Sequence, residues 1–287
     1  FEGQWPEELN PDFGLHDPLA AAALIVGCPD AQLVRQALDA YSNDPHVLQA
    51  FAVRSISDHS ELGISSAEKA LTADPANPIN HALLAFLKQN QPEDALQSIQ
   101  TALSFWPDEA HWHALAADFL SQLGQADAAA DHMDQALQLE PDNPGFWLKS
   151  GEINLSNHKL DSARLDLEQS LARETGNSNA WLKLADINWQ LGDTAEAIRN
   201  IHQADQITPD NPVVQIKEAQ LLLDQGAFAQ AHDKAQKIVS KSPENSNARV
   251  ILARSLAGQG NYDQALQILE ADPNQYRSDR ILQLEAI

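Results

Sequence analysis

Four proline marks, Pro107, Pro141, Pro209 and Pro243, fall on a ruler of 34 residues, with Thr175 at the one missing mark. Alanines keep the same beat at Ala129, Ala163, Ala197, Ala231 and Ala265. So do Gly124, Gly192, Gly226 and Gly260, with His158 standing in for the absent glycine. A period of this length marks one supersecondary unit copied along the chain. The stretch "WLKLADINWQLGDTAEAIRNIHQADQITP", residues 181–209, shows what the unit is. A small Ala on each helix lets two helices approach closely, while Leu, Ile and Trp fill the space around it. Gly closes the first helix because it takes a left-handed conformation at little cost. Pro after the second helix prevents its continuation into the next unit. A hairpin this short buries too little by itself, so copies must stack on one another.

The matching residues are Trp181, Leu184, Ala185, Gly192, Ala197, Ile201, Ala204 and Pro209. Their pattern of W-x2-L-G-x2-Y, then A-x3-F, then P resembles the tetratricopeptide repeat. Asn188 departs from the usual aromatic and Ile201 replaces Phe. His113, Gln215 and Arg249 occupy the Trp position that Trp147 and Trp181 fill. The resemblance implies an all-α fold, a right-handed superhelical solenoid of antiparallel helix-turn-helix units. It is specific to a fold and nearly silent on function.

Five well-registered units begin at Ala110, Pro144, Ser178, Pro212 and Ser246 and run through residues 110–273, the last cut short at Pro273. Residues 274–287 are expected to form a capping helix, or the opening of a further unit. Residues 17–109 hold degenerate hairpins: one from Asp17 to Asp44, one from Pro45 to Ala73, and one from Pro75 to Pro107 that is two residues short. In the last of these Pro92 suits the first position of a second helix, with Glu93 and Asp94 near its positive end. Residues 1–16 lack any period and are expected to be an extended arm that docks by Trp5 and Phe13. No low-complexity linker interrupts the chain, which reads as one elongated domain. Phe1 stands where a Met would open a primary product, so the chain is expected to be processed or part of something larger.

A net charge of −23 over 287 residues repels phosphate backbones and anionic membrane surfaces, which argues against nucleic acid as a partner. The longest apolar run, "LAAAALIVG", is far below membrane-spanning length. The single cysteine, Cys28, cannot form an internal disulfide, which fits a reducing compartment and equally an exported product.

Positions 2, 5, 6, 9, 12 and 13 of each first helix face the concave groove in the family that this chain resembles. Position 5 gives Leu148, Leu182, Ile216 and Val250, and position 12 gives Leu155, Trp189 and Leu223, an apolar stripe. Position 6 reads Lys149, Lys183, Lys217, and position 9 reads Asp118, Glu152, Asp186, Gln220. Lys149 with Glu152 and Lys183 with Asp186 are spaced for local pairing on one helix. An apolar stripe of that extent is expected to be covered by a partner segment, a second copy or the N-terminal arm. The family's carboxylate clamp for chaperone tails needs Lys and Asn at positions that here hold Leu or Ala and acids. An acidic groove instead favours a basic or amphipathic protein segment.

Catalytic patterns are absent: there is no Gly-rich phosphate loop, no G-x-S-x-G and no H-E-x-x-H. His111 and His113 point to different sides of one helix, with His132 on the next, so they make a poor metal grip. Cys28 lies in an apolar stretch without a basic neighbour and reads as inert. No cofactor is expected. The function implied is a non-catalytic scaffold binding a peptide or helix of a protein partner. The alternatives are a substrate-recruiting region of a larger kinase, protease or glycosyltransferase, and a self-assembly module.

Overall fold

The computed structural model describes residues 18–27, 30–56 and 60–270. Among them there are helices and no strand, so the all-α expectation holds. The helices alternate as hairpin partners: α1 (Pro18–Gly27) and α2 (Ala31–Ala40), α3 (Pro45–Arg54) and α4 (Glu61–Ala73), α5 (Pro78–Leu87) and α6 (Pro92–Phe105). They continue with α7 (Ala110–Gln122) and α8 (Ala126–Leu139), α9 (Pro144–Ser156) and α10 (Leu160–Arg173), α11 (Ser178–Gln190) and α12 (Thr194–Ile207). The last four are α13 (Pro212–Asp224) and α14 (Phe228–Lys241), α15 (Ser246–Gly258) and α16 (Tyr262–Glu270). The five expected unit starts are each the first residue of a helix, and α6 opens at Pro92 with Glu93 and Asp94 in its first turn. The expected arm, Cys28 and the capping helix lie outside the described residues.

The chain packs as two compact units, 1–153 and 154–287, whose boundary falls inside α9. In the first unit, one core gathers Ala95, Ile99, Phe119, Met133 and Phe146, and others form around Val47 and around Leu84. The second unit has one core around Leu182, Ile201 and Val214 and another around Ala231, Leu252 and Ala257. The alanine beat is buried throughout: Ala129, Ala163, Ala197, Ala231 and Ala265 are each at most 1% exposed. A larger side chain there would force the helices apart.

The turns obey the same meter. Gly124, Gly192, Gly226 and Gly260 have φ between 71° and 84°. His158 takes the same left-handed conformation at φ 58°, which strains a residue with a Cβ. Asparagines add a second beat. Asn177, Asn211 and Asn245 accept from the backbone N–H of Ala180, Val213 and Ala248 at 3.1, 2.9 and 3.0 Å. Asn143 does the same for Gly145 at 3.0 Å. Each cap satisfies a helix N–H that has no partner within the helix, an effect of about 1 kcal/mol.

The family's Trp position proves to be a hydrogen-bond position. Trp147 and Trp181 donate their indole N–H to the carbonyls of Pro141 and Thr175, six residues back, at 2.7 and 2.9 Å. His113 and His81 reach the Pro107 and Pro75 carbonyls by Nε2 at 2.8 and 3.0 Å. The substitution of Trp by His therefore keeps a ring N–H aimed at the end of the preceding unit. Gln215 turns instead to the Asp210 side chain at 3.1 Å.

Candidate interaction face

Within each compact unit, position 6 of one first helix meets position 9 of the first helix before it. Lys149 therefore hydrogen-bonds Asp118 on α7. Lys217 on α13 reaches both carboxylate oxygens of Asp186 on α11, at 2.6 and 2.7 Å. Both bonds join neighbouring helices, between residues 31 apart in sequence. All four groups are about one-third exposed or more, so solvent screens the pairs and each contributes on the order of 1 kcal/mol or less. Their stronger effect is on register, since a slip of one position would separate every Lys from its carboxylate.

The apolar stripe is more deeply packed than expected. Leu182 and Leu223 are buried, 8% and 5% exposed, and belong to the two cores of the second unit. Leu182, at position 5, shares a core with Ile201 and Val214, and Leu223, at position 12, shares one with Leu252 and Leu256. Leu148, Leu155, Trp189, Ile216 and Val250 are half-buried. Trp189 packs against the core of Leu182, and Ile216 against that of Leu223. Lys183, Glu152 and Gln220 are also half-buried.

Between α11 and α13 this leaves a cavity of about 190 Å³. Asp186, Trp189, Lys217, Gln220, Leu221 and Asp224 line it. The first three, with Gln220, come from the expected groove residues. Asp224 and Leu221 were missed, although Asp224 sits at position 13 of its helix and could have been counted. Gln220 donates to Asp224 at 3.2 Å. An indole, a Lys–Asp pair and a carboxylate–amide pair in the lining give the cavity apolar surface together with acceptors. Lys217 spends two of its three N–H groups on Asp186 and keeps one to offer. Such a surface suits a side chain with an apolar stem and a polar or cationic tip.

His113 and His132 meet across α7 and α8, with Nδ1 atoms 3.0 Å apart. Because the Pro107 carbonyl can only accept, His113 carries its proton on Nε2, and its Nδ1 accepts from the Nδ1–H of His132. Burial, and then the nearby His113, hold the His132 pKa below the usual histidine value, against an opposing pull from Asp131. His111 stands apart, 3.6 Å from Glu140 and edge-on to Phe146. Among the described residues no three His, Cys, Asp or Glu groups are placed to hold a metal. No described helix is long and apolar enough to cross a membrane.

Two family models match the chain. Residues 147–271 match the cytochrome c-type biogenesis protein H TPR domain, and residues 86–153 match the tetratricopeptide repeat. No curated protein matches the sequence. Among solved structures, a tetratricopeptide repeat protein from Parabacteroides merdae is 20% identical with a TM-score of 0.65, covering 84% of this chain and 96% of its own. Pseudomonas aeruginosa pilF is 18% identical with a TM-score of 0.61, covering 71% of this chain and 95% of its own. YrrB, described as a TPR protein with an unusual peptide-binding site, is 16% identical with a TM-score of 0.53, covering 67% of this chain and all of its own. At these identities the likeness is one of fold.

Proposed function

Because the chain is a tetratricopeptide-repeat protein, we propose that it is a non-catalytic scaffold that binds a segment of a protein partner along its first-helix face. The observation that supports this reading is the cavity between α11 and α13, whose lining combines Trp189 with the Lys217–Asp186 pair. An indole supplies a large rigid contact surface, and the flanking carboxylates Asp186 and Asp224 favour a basic or amphipathic segment. Leu182 and Leu223 hold the helices that present this wall. Replacing Trp189 and Gln220 by Glu should abolish capture of the partner from the source cells while helicity stays unchanged. Capture that survives both changes would move the binding site elsewhere.

The match of residues 147–271 to the cytochrome c-type biogenesis protein H TPR domain favours a partner drawn from that process. In this reading the scaffold gathers components of c-type cytochrome biogenesis. Deleting the chain in the source organism and measuring haem-stained c-type cytochromes tests it. A normal cytochrome complement would refute this second reading and leave the scaffold itself standing.

A further inference from the structure

Another side of α11, carrying Trp181, Leu184 and Asn188, faces a larger cavity of about 450 Å³ bounded by α10 and α12. Leu171, Leu184 and Trp181 give it apolar walls. Asn188 and Asn200 line it as well, each only 4% exposed. The Nδ2 of Asn200 has no hydrogen-bond partner among the described residues. A buried amide donor without an acceptor is costly and uncommon in folded proteins. The terminal torsion of Asn is broad, so the amide can turn toward a group that enters the cavity.

The lining also fixes the charge of an occupant. Glu168, Asp193 and Glu196 are set against Arg164. Glu196 is engaged by Arg199, and Asp193 caps α12 by accepting from the Glu196 N–H at 3.1 Å. Arg164 leans toward Asp161 at 3.5 Å. Glu168, by contrast, makes no ion pair or hydrogen bond among the described residues. An occupant must therefore present one hydrogen-bond acceptor at depth and tolerate, or neutralise, a carboxylate at the rim.

We propose that this cavity binds a lysine- or arginine-bearing peptide segment, whose backbone carbonyl accepts from Asn200 Nδ2 and whose cation rests on Glu168. An anion would meet the acidic rim, and a purely apolar group would leave the Asn200 donor unpaired. The long stem of Lys or Arg lies well along Leu171 and the Trp181 ring. The site lies between the second helices α10 and α12 and on a different side of α11 from Trp189, so it is distinct from the face assigned above.

The test is fluorescence anisotropy of the whole chain with a labelled nonapeptide of Gly, Ala and two Lys, and with its analogue carrying Glu for Lys. Asn200→Leu keeps the net charge, so a loss of about tenfold in affinity, a change of about 1.4 kcal/mol, would come from the amide alone. Glu168→Gln should weaken binding several-fold, whereas Asp263→Asn, the same charge change at a remote exposed site, should leave it within about twofold. Loss of binding in Trp189→Ala with wild-type affinity in Asn200→Leu would place the peptide on the first-helix face and overturn the assignment. Circular dichroism checks that each variant is folded, and Glu168→Gln alters only the surface. Wild-type affinity in Asn200→Leu, equal losses in Glu168→Gln and Asp263→Asn, or equal binding of the Glu peptide would each overturn the proposal.

Discussion

Lys217 on α13 holds both carboxylate oxygens of Asp186 on α11, 31 residues earlier, at 2.6 and 2.7 Å. The bond ties one repeat to the next at the lip of the cavity that contains Trp189. A double-mutant cycle with Lys217→Met and Asp186→Asn should give a coupling of about 0.5–1 kcal/mol in urea midpoints at low salt, shrinking at high salt. A coupling near zero at low salt would mean that the pair does not link the repeats.

Trp181 tests the hydrogen bond that ends the preceding unit. Trp181→Phe keeps an aromatic ring and removes the N–H that meets the Thr175 carbonyl. The expected loss is about 1 kcal/mol in thermal or urea denaturation. His113→Phe should cost more, because it also strips His132 of its acceptor. Equal stability of Trp181→Phe and wild type would contradict a role for the indole N–H.

The histidine pair predicts a pH dependence of defined sign. Folding holds the pKa of His132 below its ordinary 6.5, so on acidification the unfolded chain takes up this proton first. The contribution of His132 is therefore fully present above about pH 6.5 and is lost as the pH falls through its lowered folded value. Comparing wild type with His132→Gln across this range isolates the effect: the variant should show a flatter acid limb. Parallel curves would contradict it.

Gly258 predicts a local clash. A Cβ there would fall 2.5 Å from the Phe228 ring. Ala in place of Gly in a helix gains about 1 kcal/mol, but overpacking against a ring costs about 1–3 kcal/mol, so Gly258→Ala should destabilise the second unit. Adding Phe228→Leu should recover part of the loss. His158→Gly works in the opposite direction, relieving a left-handed φ of 58° and stabilising the chain by about 1 kcal/mol. Denaturation midpoints of these variants check both signs.

The repeat was legible because its beat is carried by residues whose roles are steric. Ala197 is small because two helices touch there, Gly192 is glycine because φ is +84°, and both facts follow from residue type at fixed spacing. The asparagine caps share the beat at Asn143, Asn177, Asn211 and Asn245, and a scan for N-caps before each first helix would have found them. The partners of the charged ladder were not legible: Lys149 has Glu152 three residues on along its own helix as well as Asp118 on α7, and no carboxylate lies three or four residues from Lys217 on α13. Only the lateral packing of α11 and α13 makes Asp186 its partner. The same packing buried Leu182 and Leu223, which helical periodicity alone could place on a groove as readily as in a core. His132 came to His113 through the pairing of α7 and α8, a contact 19 residues apart that no short motif records.

The most direct measurement is site-specific photo-crosslinking in the source cells. A photoreactive residue is placed at Gln220, on the wall between α11 and α13, or at exposed Gln203 on α12. A discrete adduct with one partner from position 220, weak or missing from 203, is the expected result. Equal adducts from both positions, or none from 220 while the chain still captures its partner, would contradict binding along the first-helix face.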